Sequence, residues 1–326
     1  MPSFFDHWAD VLVNYSTEVK PGDTVAISGG VAAEPLLRAI YRAVLKSGGL
    51  PVLVPSFTES QTDLFAVASD EQLQFISPFE RWASLEATVT INIQASTNTR
   101  ALSAVDPARQ TIWNRARADL REIATQRAAD GERRWTLTIF PTPAFAQDAD
   151  MATDEFASFL AAACMLDRPD PVAAWRDLSA RQARMIDWLE SRRDIHITAP
   201  GTDVRLSVAD RTWINSDGKR NFPSGEVFTG PVEDSAEGHI RFSFPVVTRL
   251  GEFAFGTNDG IDRWTRNILL DEKMGGTVHM ALGRAYPETG SANRSAIHWD
   301  LICDLRDGGE VTADAEVVLR DGKYRI

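Results

Sequence analysis

Cysteine is scarce in this chain of 326 residues: there are two, Cys164 and Cys303, without any C-x-x-C spacing. That excludes a disulfide framework and a thiolate zinc site, and each cysteine reads as a small core residue. Long apolar runs are missing too. No stretch approaches the roughly 18 residues of a membrane span, and the start MPSFFDHWAD lacks a basic region followed by an apolar one. No membrane partner and no export signal are expected, and the expected location is the cytoplasm. Positive charge is outweighed, with 34 Lys and Arg against 46 Asp and Glu and a formal net charge of −12. Because the acids are spread along the chain, its surface repels nucleic acid and anionic lipid. G-x-G-x-x-G and G-K-[ST] are also absent, so Ser28-Gly29-Gly30 is expected to be a tight turn from strand to helix and not a phosphate loop. Internal repeats and low-complexity tracts are lacking.

What is present is ordinary for a folded enzyme: 44% apolar and 25% charged residues, in a length that suits two domains. Trp8, Val11, Leu12 and Tyr15 form a helical stripe ended by Pro21-Gly22. Thr24–Ser28, Pro51–Val54, Thr88–Ile93 and Trp135–Phe140 read as strands. Helical segments lie between them at Glu34–Lys46 and over a long Arg- and Ala-rich stretch, Arg109–Arg127. Alternation of this kind implies a parallel α/β sheet. Residues 151–195 read as helices, with Thr153 as a cap and Trp175, Leu178, Ile186 and Leu189 on one face. Beyond residue 194 short β runs take over, at Ile195–Ile197, Val204–Val208, Ile240–Phe244 and Ala315–Leu319. The expected fold is therefore α/β, with a parallel-sheet α/β domain over 1–194 followed by a strand-rich α+β domain over 195–326, which its acids and imidazoles mark as the expected metal-binding domain.

The chemistry collects in that second part. In Ser295-Ala296-Ile297-His298-Trp299-Asp300, a strand period of two puts His298 and Asp300 on one face, about 6–7 Å apart along the backbone. Upstream, Glu226 follows Pro223-Ser224-Gly225 and enters an apolar run, Glu252 sits inside Leu250-Gly251-Glu252-Phe253-Ala254-Phe255, and His279 sits inside Thr277-Val278-His279-Met280-Ala281. Each taken singly is an ordinary polar residue of a surface or core. A lone buried carboxylate, however, costs several kcal/mol unless it is paired or bound to metal. Three acids and two imidazoles set in apolar strands of one domain point to a shared divalent centre.

The segments PSGEVFTGPVEDSAEGHIRF, LGEFAFGTNDGI, NILLDEKMGGTVHMALGRAYPETG and SAIHWDLICDLRDGGE resemble the thermophilic aminopeptidase family, the M29 metallopeptidases. In the N-terminal half VLVNYSTEVKPGD, NTRALSAVDPARQ and RWTLTIFPTPAFAQ extend the resemblance over nearly the whole chain. It implies a metallo-aminopeptidase, a homodimer acting on peptides. Two divalent ions, zinc, cobalt or manganese, would be held by Glu226, Glu252, His279, His298 and Asp300. Glu272 of the DEK motif and Tyr286 fall on active-site positions of the family, as general base and as oxyanion donor.

One departure stands out. The family carries some dozens of residues between the GHIRFSFP strand and LGEF, whereas this chain passes from Pro245 to Leu250 across four residues. Two alternatives remain at this stage: a mononuclear non-haem iron ring-opening dioxygenase of related fold, and a homologue impaired in catalysis by the shortened connection.

Overall fold

A computed structural model describes residues 4–232, 235, 237–239, 247–248, 251–252, 265–271, 277–282, 299–304, 308–320 and 323–325. The chain forms two compact units, Met1–Arg176 with Gly218–Ser224, and Asp177–Asp217 with Gly225–Ile326.

The first unit is built on a parallel sheet of β1 (Thr24–Gly30), β2 (Leu50–Ser56), β3 (Val89–Gln94), β4 (Arg134–Ile139) and β8 (Asn221–Phe222), in the order β2-β1-β3-β4-β8. Consecutive residues Val25, Ala26 and Ile27 are all buried, as are Val89, Thr90 and Ile91. Burial of both strand faces is why these segments read as continuous apolar runs and not as alternations. Helix Glu34–Lys46 covers the sheet with Leu36, Leu37, Ile40 and Val44, buried side chains at helical spacing worth about 1.5–3 kcal/mol each. Gly30 is required by close approach and not by a turn. A Cβ there would lie 2.7 Å from the carbonyl oxygen of Ala95, so β1 and β3 can close on each other only with glycine at this place.

The long helix expected over 109–127 is two helices, Pro107–Ala116 and Ala118–Ala129, with Arg117 at the break. The guanidinium of Arg117 donates to Glu80 at 2.7 Å and to the carbonyl oxygens of Leu73, Phe75 and Trp113, and it stacks 4.1 Å over the Trp113 ring. Tertiary partners thus override a helical pattern that the sequence carries without interruption. Thr153 is the first residue of its helix, and Ala152 precedes it as the cap.

In the second unit, β5 (Asp194–Ala199), β6 (Thr202–Ser207), β10 (Glu237–His239), β16 (Glu310–Ala313), β17 (Glu316–Arg320) and β18 (Lys323–Tyr324) form an antiparallel sheet in the order β10-β6-β5-β16-β17-β18. Thr202, Val204 and Leu206 are buried while Asp203 and Arg205 are exposed, the alternation of a sheet with one covered face. The covered face packs Ile195, Ile197, Val204, Leu206, Val311 and Leu319 into one core. Asp314 and Ala315, at φ 47 and 66, make the tight turn between β16 and β17. A second antiparallel sheet contains β7 (Ile214–Ser216), β9 (Glu226–Thr229), β13 (Thr265–Asp271), β14 (Thr277–Leu282) and β15 (Trp299–Asp304), in the order β15-β14-β13-β9-β7. Among the described residues, the strands β11 (Val247–Thr248) and β12 (Gly251–Glu252) pair with each other and with no further strand. The chain is thus mixed α/β, with a parallel-sheet part and an antiparallel-sheet part. The expected run Ile240–Phe244 lies outside the described residues. The change of texture at residue 195 coincides with the start of β5, whereas the compact units divide inside helix Pro171–Leu189.

Candidate metal centre

Glu226 opens β9, and its backbone pairs with Ser216 on β7 and Asp271 on β13. The strand begins there because Gly225, at φ 134, turns the chain through a conformation closed to side-chain-bearing residues. The Gly225 N–H then donates to the Ser216 carbonyl at 2.9 Å. Within β9 the pattern alternates: Val227 and Thr229 are buried, while Glu226 and Phe228 are half-buried. Thr229 fixes the far end through its hydroxyl, which donates to the Thr212 carbonyl at 2.8 Å. Glu226 therefore stands on the sheet face away from the Val227 core.

Backbone register relates the other expected ligands to this face. Asp271 is opposite both Glu226 and Thr277, His279 is opposite Leu269 and Ile302, and Asp300 is opposite Ala281. Stepping two residues at a time from these pairs gives Glu226, His279 and Asp300 the same parity, so the three positions belong to one face of the five-stranded sheet. Glu252 is placed apart: its backbone pairs with Val247 in the separate β11–β12 ladder. Glu272, Tyr286 and His298 lie outside the described residues. Asp271 was not singled out from the sequence, yet it stands in register beside Glu226. Its one signal is its place as the first acid after the apolar run Ile268-Leu269-Leu270.

The other imidazole–carboxylate pair, His196 Nε2 to Asp203 Oδ1 at 2.8 Å, bridges β5 and β6 on the exposed face of the other sheet. Among the described residues no three His, Cys, Asp or Glu side chains converge. The residue types at these three register positions, Glu, His and Asp, suit a divalent cation of the zinc, cobalt or manganese kind. A half-buried carboxylate at the head of a strand, in register with such positions, fits a metal centre.

A model of the thermophilic metalloprotease family (M29) matches residues 3–249 and 247–324. The chain belongs to the M29 family. This M29 chain is 25% identical over 400 residues to Aminopeptidase 2 of Geobacillus stearothermophilus, covering 98% of the chain and 94% of that relative. It is 25% identical over 276 residues to Aminopeptidase PepS of Streptococcus thermophilus, covering 76% of the chain and 66% of that protein. Its fold is similar to that of wild-type AmpT from Thermus thermophilus, with a TM-score of 0.75 and 19% identity over 99% of each chain. Membership makes it a peptide-bond hydrolase of a metal-dependent family. The ring-opening dioxygenase alternative finds no support in these relatives. The two matched stretches meet at 247–249, where the connection is short, and the alignment to Aminopeptidase 2 is longer than this chain. Among the described residues no helix is long and apolar enough to cross a membrane.

Proposed function

We propose that this M29 chain is an aminopeptidase that releases the N-terminal residue of peptides at a centre of two divalent ions held by Glu226, Glu252, His279, His298 and Asp300. Support comes above all from the shared parity of Glu226, His279 and Asp300 on one sheet face. The aminopeptidase names of its M29 relatives agree with it. When bound, divalent metal supplies Lewis acidity, lowering the pKa of a water towards neutrality and polarising the scissile carbonyl. Glu272 takes the proton of the attacking water as general base and passes it to the leaving amine. Tyr286 donates its hydroxyl to the oxygen that becomes negative as the carbonyl turns tetrahedral. Zinc, cobalt and manganese all suit these ligands, and the working form is a cytoplasmic homodimer.

The deciding experiment measures hydrolysis of a panel of aminoacyl-nitroanilides after prolonged EDTA treatment and after return of zinc, cobalt or manganese. Loss followed by recovery is expected. Full activity in excess chelator would overturn the proposal. A count of one ion per chain would overturn the two-ion centre alone. A second possibility, a homologue impaired in catalysis, is favoured by the meeting of the family matches at 247–249 and by the separate ladder of Glu252. It predicts a folded protein without metal-dependent turnover on the whole panel.

A further inference from the structure

Among the described residues, strand β7 is the edge of its sheet and has β9 as its neighbour there. It is three residues long, and so short an edge strand has few ladder bonds to hold it. Side chains tie it to helix Pro171–Leu189 instead. The amide nitrogen of Asn215 donates to the Ser179 carbonyl at 3.1 Å, and the Ser179 hydroxyl donates to Asp217 Oδ2 at 2.6 Å. Asp217 is only 7% exposed. A carboxylate in that environment is costly unless it is hydrogen-bonded, and an apolar contact would hold a strand edge to a helix at no such cost. What a directional hydrogen bond adds is a fixed height of one element along the other. Here the height matters, because Ser216 lies between the two tied residues, pairs with Glu226, and accepts from the N–H of Gly225.

We propose that Ser179, Asn215 and Asp217 are positioning residues that fix β7 along the helix and, through the Ser216–Glu226 pairing, hold the Glu226 carboxylate at the height metal binding requires. The proposal rests on Glu226 being a metal ligand. Supporting residues one step behind a metal ligand change affinity by roughly 10–100-fold when removed.

The test titrates Mn2+ into the full-length apo protein by calorimetry and follows amide hydrogen exchange in β7 and β9. Asp217→Ala is expected to weaken Mn2+ binding by about tenfold or more and to speed exchange at residues 214–216 and 226–229. Asp217→Asn keeps an acceptor oxygen for the Ser179 hydroxyl and should restore binding close to wild type. Ser179→Ala removes a single hydroxyl and decides the matter if Asp217→Ala does not fold. If Asp217→Ala and Ser179→Ala bind Mn2+ as wild type does while Glu226→Gln loses an ion, the clasp only holds the fold and the proposal fails, with Glu226 still a ligand. If Glu226→Gln itself leaves Mn2+ binding untouched, Glu226 is no ligand and both ideas fall.

Discussion

Gln182 shows how much one residue can say. It is 1% exposed, on the same helix stripe as Leu178 and Leu189, and neither end of its carboxamide meets a hydrogen-bond partner among the described residues. An unsatisfied buried amide costs about 1–3 kcal/mol, so Gln182→Met, near in shape and apolar, is expected to stabilise by that amount. Calorimetric melting should show a midpoint several degrees higher, and a lower one would mean that Gln182 has a partner after all. At the proposed metal centre, His298→Ala and Asp300→Ala are expected to weaken metal binding by more than the roughly 10–100-fold that a supporting residue costs. Far-ultraviolet circular dichroism should stay unchanged, and turnover retained in a well-folded variant would remove that residue from the ligand set. The proposed ligands stand out in the sequence because an acid or imidazole inside an apolar strand is at odds with its surroundings. Ser179 and Asp217 are not legible, since each is an ordinary polar residue until a helix and a strand edge 38 positions apart are brought together.

Among the elements, the short helix Pro78–Leu85 depends on one carboxylate. Glu80 accepts from the Ser77 N–H at 2.9 Å in a capping box and from Arg117 at 2.7 Å. Glu80→Ala removes both the cap and a charged hydrogen bond, and a loss of about 2–3 kcal/mol is expected in urea unfolding. Burial works to raise the Glu80 carboxyl, but the Arg117 guanidinium and the Ser77 N–H outweigh it and hold it below its ordinary value. Asp23 is similar: burial raises it, while the Lys20 N–H, the Arg134 guanidinium and the Thr88 hydroxyl together bring it lower. A depressed carboxyl contributes stability that is present above its unfolded pKa, about 4, and is lost as pH falls through the folded value. Unfolding midpoints should therefore drop in acid below about pH 4, and Asp23→Asn and Glu80→Gln should each flatten that drop. An unchanged acid profile in both variants would refute these pairings. The parallel strands were legible as apolar runs. The helices Thr58–Val67, Asp70–Gln74 and Pro78–Leu85 were not, because at 10, 5 and 8 residues they are too short for an apolar period to stand out, although capping boxes at Ser69 and Ser77 open two of them.

On the scale of the whole molecule, the mixed α/β class and the family were legible over nearly the full length, because motif after motif repeats an M29 pattern. The shortened connection was legible as well, and its consequence for Glu252 is open to a direct measurement. Glu252→Gln should lower the number of tightly bound ions by one if the β12 position supplies a ligand, and should leave the count unchanged if it does not. The expected homodimer is checked by light scattering of the purified chain, where a monomer mass would refute it. What local composition could not show was the excursion of Gly218–Ser224, since β8 is two residues long and carries no pattern of its own.

That excursion bears on how the chain can be taken apart. Because β8 leaves the second unit between β7 and β9 to complete the sheet of the first, the path passes from one unit to the other at 176/177, 217/218 and 224/225. No single cut yields two whole pieces. A fragment ending at residue 176 lacks an edge strand of its own sheet, and a fragment starting at 177 carries seven residues foreign to its core. Neither unit could be exchanged with a relative's by one genetic crossover, and a chimera that keeps both units whole needs three junctions.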